Sequence, residues 1–120
     1  MATAIASITW NVAVEWFAGR LGADHTLGTR HGDTGIRHVW PSDKGRWLRD
    51  LSVRLGLQAN QVAAVGDSAN DRDLLEAAGL RFFVGETPPA ILDPDMFQVR
   101  PTLILQPFVS RGPSPRSFLP

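Results

Sequence analysis

The chain has 120 residues, 43% of them hydrophobic and 20% charged, which is enough apolar material for one folded domain and argues against wholesale disorder. Twelve basic and twelve acidic residues cancel, so no long-range field gathers nucleic acid or presses the chain onto an anionic membrane. Cysteine is absent, which excludes a disulfide framework, a thiolate nucleophile and sulfur ligation of zinc, and fits a reducing cytoplasm.

Residues 3–7 (TAIAS) form a short β-compatible apolar run. No basic segment precedes it, and Glu15 falls where a signal peptide needs an uncharged core. Ala13, Trp16, Phe17 and Leu21 then recur at helical spacing up to Gly22, which suits a C-cap. Gly32-Asp33-Thr34-Gly35 is a turn cluster between residues 26–30 and 36–40, predicting a hairpin with short strands. Pro41 ends that stretch, Ser42 or Asp43 offers an N-cap oxygen, and Trp47, Leu48, Leu51 and Leu55 make an apolar stripe closed by Gly56.

Residues 62–65 (VAAV) are a continuous apolar run, the pattern of a parallel strand buried on both faces, and the run stops at Gly66-Asp67. A helix follows with Leu74, Leu75 and Ala78 inward and Gly79 as its cap, then a strand at residues 81–84 that ends at Gly85. Beyond Pro88, prolines interrupt every candidate helix, although residues 102–105 (TLIL) suit a strand. From Ser110 onward there is too little apolar content to order the chain, so a core over residues 1–109 and a disordered tail over 110–120 are expected. No run of about 18 uncharged apolar residues exists, so no membrane-spanning helix is expected. The alternation of strands and helices predicts an α/β layered domain with a mainly parallel sheet.

In open α/β sheets, ligands bind beyond the carboxyl ends of the strands. Ser7 follows one apolar run, Asp67, Asn70 and Asp71 follow another, and Lys44 opens a helix. A hydroxyl, an ammonium, a carboxamide and two carboxylates are what a phosphate and a magnesium ion require, because Mg2+ prefers hard oxygen donors and phosphate takes hydroxyl, lysine and amide donors. The plainer reading of Asp67, Ser68 and Asp71 is a helix start with dipole-favoured acids. His25, His31 and His38 cluster near the hairpin but match no zinc-ligand spacing, and Trp10, Trp16, Trp40 and Trp47 suit core or interface filling.

Taken jointly, the segments VAAVGDSANDRDLLEAAGLRFFVG, WPSDKGRWLRDLSVRLGL and AIASITWNVAVEWFAGRLGADH resemble, in order and spacing, the fourth, third and second motifs of the haloacid dehalogenase superfamily, phosphoserine phosphatase branch, over residues 3–89. The resemblance implies a Rossmann-like three-layer α/β core and a magnesium-dependent phosphomonoester hydrolase acting on a small phosphorylated metabolite. It assigns Ser7, or Thr9 in its place, to the phosphoryl group, and Lys44 to neutralising that group's charge. Asp67 would bind Mg2+, Asn70 would touch phosphate or substrate, and Asp71 would bind a metal-bound water or steady Lys44. These roles suit phosphoryl transfer, in which the protein mainly positions groups and stabilises charge.

The family's aspartate nucleophile belongs to a DxDx[TV] motif whose place would precede residue 1. The DxD at Asp93-Pro94-Asp95 sits in a proline-interrupted loop. The resemblance therefore implies an incomplete core, without the nucleophile strand and without the cap that reads the substrate. Either the chain is a fragment of a longer protein, or a second chain or homo-oligomer completes the sheet, or the strands close up into a smaller sheet; the alternative function is a non-catalytic truncated phosphatase acting as a binding or oligomerising module.

Overall fold

The computed structural model describes residues 1–86 and 96–99. The strand expected at 102–105, the Asp93 and Asp95 pair and the tail expected at 110–120 lie outside the described residues.

The chain opens with strand β1 (Ala4–Trp10), helix α1 (Asn11–Leu21) and strand β2 (His25–Gly32), which lies parallel to β1 and turns back antiparallel into β3 (Gly35–Arg37). Helix α2 (Pro41–Arg54) leads to β4 (Ala63–Gly66), α3 (Arg72–Glu76) and β5 (Leu80–Val84), and β6 (Phe97–Val99) extends the ladder. The strands form two three-stranded sheets, ordered β1-β2-β3 and β4-β5-β6, and the second is parallel throughout. The α/β class and the mainly parallel pairing thus agree with the sequence.

Helix α1 departs from its predicted face. Val14 and Ala18 are buried, whereas Trp16, Phe17 and Leu21 stand 57%, 54% and 74% exposed. The reason lies on β2, where a Cβ on Gly28 would come within 2.7 Å of the Asn11 Cα and 2.9 Å of the Val14 Cγ2. The helix settles on this glycine through the narrow line of Asn11, Val14 and Ala18, at helical spacing, and the bulky apolar residues turn outward. Arg20 lies over the Trp16 ring, 5.2 Å from its centroid. Trp10 and Trp40 are also exposed, so three of the four tryptophans are not core fillers. Gly22 does cap α1, in the left-handed conformation at φ 71°.

Helix α2 starts two or three residues earlier than its capping oxygens suggest. Trp40 is the cap position and Pro41 follows it, while the Asp43 carboxylate reaches back to accept the Trp40 amide at 2.8 Å. Leu48 and Leu51 are buried, as the stripe predicts, but so are Lys44 and Gly45. A Cβ on Gly45 would lie 2.4 Å from the Asp73 carbonyl oxygen, so the glycine lets α2 touch the backbone of α3. One core cluster joins Leu48 to Val62, Ala64, Leu75, Ala77, Ala78 and Phe83, beneath the second sheet. Phe83 is 1% exposed, and burying such a side chain contributes roughly 1.5–3 kcal/mol.

Two further expectations are corrected. Helix α3 is a single short turn preceded by a 3-10 turn at Ala69–Asp71, and Gly79 is no left-handed cap: a Cβ there would lie 2.4 Å from the Ala59 carbonyl oxygen, which accepts the Gly79 amide at 2.8 Å. Strand β4, expected to be buried on both faces, alternates instead. Ala64 and Gly66 are buried, but Ala63 is exposed and Val65 is 61% exposed. Only the Ala64 and Gly66 face of β4 packs on the core cluster, so the Ala63 and Val65 face is uncovered among the described residues; separately, β4 has a described partner only on its β5 side and β1 only on its β2 side.

Candidate active site

Between the two sheets lies a cleft of about 1070 Å³, lined by residues 4–8 of the first sheet and 63–66 of the second, with the inner face of α2 as its floor. Successive residues of a strand point to opposite faces. A cavity lined by an unbroken run from each of two strands therefore meets their edges, where backbone amides and carbonyls face outward. Ser7, Lys44, Asp67, Asn70 and Asp71 all line this cleft. Thr9 does not line it and is exposed.

On the β4 side the chain leaves Gly66 and enters the 3-10 turn at Ala69–Asp71. Ser68 caps that turn, its hydroxyl accepting the Asn70 amide at 3.2 Å. Asp71 folds back under the loop, where its Oδ2 accepts the amides of Asp67 at 3.0 Å and Ser68 at 3.3 Å. Only glycine at position 66 leaves room for this, since a Cβ there would lie 2.6 Å from the Asp71 Cβ. The other oxygen, Oδ1, accepts the Lys44 Nζ at 2.7 Å, and both side chains are more than nine-tenths buried. Burial raises the Asp71 pKa, but the Lys44 hydrogen bond, the Asp67 amide, the Lys44 charge and the Ser68 amide together outweigh it and hold the carboxyl below its ordinary value.

Asp71 is thus occupied on both oxygens, while Asp67 is not. Its carboxylate is exposed at the end of β4, and among the described residues no donor or cation engages it. Two carboxylates, one already committed, suit Mg2+, which usually keeps several waters and takes one or two protein carboxylates besides phosphate oxygens. No group of three or more His, Cys, Asp or Glu side chains gathers around one point among the described residues. His25 lines the cleft, whereas His38 packs edge-on against Trp40, ring centroids 4.2 Å apart.

On the β1 side the ladder breaks. Ala6 pairs with Leu27 and Trp10 with Thr29, so Ser7, Ile8 and Thr9 together oppose only Gly28 and bulge out of register. The Ser7 hydroxyl accepts the Thr9 amide at 3.1 Å, closing a small turn. Thr29, buried on β2, donates its hydroxyl to the Ile8 carbonyl at 2.8 Å and accepts the Val39 amide at 3.0 Å. Nothing in the sequence marks Thr29 out, because a threonine inside a strand reads as an ordinary β-branched residue.

The sequence that builds this site matches a known family. The model of haloacid dehalogenase-like hydrolases matches residues 2–76, and the chain belongs to that family. A phosphoglycolate phosphatase of Halobacterium salinarum is 47% identical over 68 residues, covering 54% of this chain and 29% of that protein. The putative phosphatase YxeH of Bacillus subtilis is 32% identical over 59 residues, covering 49% of this chain and 22% of that one. Among solved structures, a phospho-aspartyl intermediate analogue of phosphoserine phosphatase superposes with a TM-score of 0.69 at 23% identity, covering 88% of this chain and 55% of that one. A substrate-bound phosphoserine phosphatase gives 0.68 at 24%, covering 82% and 50%. These likenesses establish a Rossmann-like fold. The chain spans under a third of the length of the curated relatives it matches and about half that of the structural ones.

Proposed function

We propose that this chain is the metal- and phosphate-binding half of a magnesium-dependent phosphomonoester hydrolase acting on a small phosphorylated metabolite in the cytoplasm. The observation that carries the reading is the buried Lys44–Asp71 pair, set in one cleft with the free Asp67 carboxylate and the Ser7 turn. Asp71 fixes the ammonium of Lys44 so that its remaining donors can meet a phosphoryl oxygen. Ser7 and Asn70 donate to other oxygens of the same group. Asp67 holds Mg2+, which when bound neutralises phosphoryl charge, and Asp71 acts on the metal site only through Lys44 and the loop amides.

None of these groups is a nucleophile. The carboxylate that takes the phosphoryl group enters on an extended segment between β1 and β4, whose free edges would pair with it on both sides. The segment that completes the sheet lies outside these 120 residues, supplied by a further part of the same protein or by a second chain. The exposed Val65 also favours a rival reading, a non-catalytic module that associates through these edges.

The test is magnesium-dependent phosphate release from p-nitrophenyl phosphate, comparing the chain alone with a version extended by a DxDx[TV] strand. The proposal expects turnover only in the extended protein and its loss in Asp67→Asn. An inactive extended protein that binds neither Mg2+ nor inorganic phosphate would sink it, leaving the rival module.

A further inference from the structure

We infer that Thr29 is a positioning residue that holds the two phosphate-facing elements, the Ser7 turn and the Lys44 helix, at a fixed separation. The inference rests on the phosphatase reading for what is held, and on two hydrogen bonds for the holding itself. Ser7, Ile8 and Thr9 have lost regular pairing with β2, so the Ile8 carbonyl has no ladder partner at the break in register. Thr29 supplies one, donating its hydroxyl at 2.8 Å. The lone pair of the same oxygen accepts the buried Val39 amide at 3.0 Å. Val39 is the residue before the Trp40 cap of α2, and Lys44 stands in that helix's first turns.

One hydroxyl therefore ties residue 8, adjacent to the phosphate-facing serine, to residue 39, five positions before the phosphate-facing lysine. A hydroxyl can donate and accept at once. Valine has the same shape but can do neither, and its presence would leave a buried amide unsatisfied. Serine keeps both bonds. The Asp67 loop touches neither bond and meets the clamp only through the Lys44–Asp71 pair, so the clamp acts on phosphate first and on the metal carboxylate less.

The experiment compares Thr29→Val and Thr29→Ser with the wild-type full chain, using amide NMR together with titrations of inorganic phosphate and of Mg2+. In Thr29→Val, the amides of residues 8–9 and of 39–44 should shift together and by more than those of residues 67–71. Phosphate affinity should fall about tenfold, near the 1.4 kcal/mol that a tenfold change represents, with a smaller loss of Mg2+ affinity. Thr29→Ser should restore both. In the wild type, the Val39 amide should exchange slowly with solvent although it belongs to no helix or strand, which tests the bond to Thr29 even where the valine variant fails to fold; fast exchange there would overturn the clamp.

A shift confined to one of the two segments, or equal losses of phosphate and Mg2+ affinity with a lower melting temperature, would overturn the clamp and leave Thr29 an ordinary core residue. If the wild type takes up no phosphate, the phosphatase reading falls instead, and the paired amide shifts still decide whether Thr29 couples the two elements.

Discussion

The two sides of the cleft are held by different forces. On the β4 side, Lys44 and Asp71 are buried against each other, and the Asp71 carboxylate also carries two loop amides. On the β1 side the ladder is out of register for three residues, and neutral hydrogen bonds hold the turn, one within it and one to Thr29. The charged side is internally satisfied and fails as a unit. The hydroxyl side is partly exposed, can be perturbed in small steps, and depends on a residue from a neighbouring strand.

The sharpest way to break this contrast is Asp71→Asn. It strands the Lys44 ammonium in a buried site, and removing one partner of a buried pair costs about 3–5 kcal/mol. Urea denaturation should show this loss, whereas Ser7→Ala should change stability by under about 0.5 kcal/mol. Gly45→Ala comes next. Its methyl group would press on the Asp73 carbonyl oxygen, an overpacking worth about 1–3 kcal/mol, and it should lower the melting temperature by pushing α2 off α3.

Acid unfolding sharpens the comparison further. The folded pKa of Asp71 lies below the ordinary 3.8, so the stability it contributes is fully present above that value and is lost as pH falls through the lower folded one. The urea midpoint should therefore drop below about pH 4 in the wild type, and this part of the drop should be missing in Asp71→Asn. The smallest stability effect belongs to Asp67→Asn, within about 0.5 kcal/mol because the side chain is exposed and engages no partner among the described residues. Its effect should appear in Mg2+ titration as weakened binding, separating the metal carboxylate from the structural one.

Much of this was legible in the chain. The strand-to-loop transition at Gly66-Asp67, the α2 stripe and the grouping of Ser7, Lys44, Asp67, Asn70 and Asp71 follow from apolar periodicity and from the placement of polar residues after strands. What stayed hidden depends on contacts between elements distant in sequence. The division of labour between Asp67 and Asp71 is set by which carboxylate folds back beneath Gly66. The outward turn of Trp16 and Phe17 follows from Gly28 on the next strand. Strand β6 escaped notice because Phe97–Val99 is short and is fixed by pairing with β5. The exposure of Val65 could not be read from an apolar run, because burial of a strand face depends on what packs on it, and only the Ala64 face of β4 is covered among the described residues.

The central claim is that the cleft between β1 and β4 is the place of a central strand, and amide hydrogen exchange tests it most directly. In the chain alone, the cleft-facing amides of residues 4–8 and 63–66 should exchange far faster than those of β5. In a version extended by a DxDx[TV] strand they should become protected to the level of β5. Equal and slow exchange at these amides with and without the added strand would mean that the two edges already have partners, and would contradict the account.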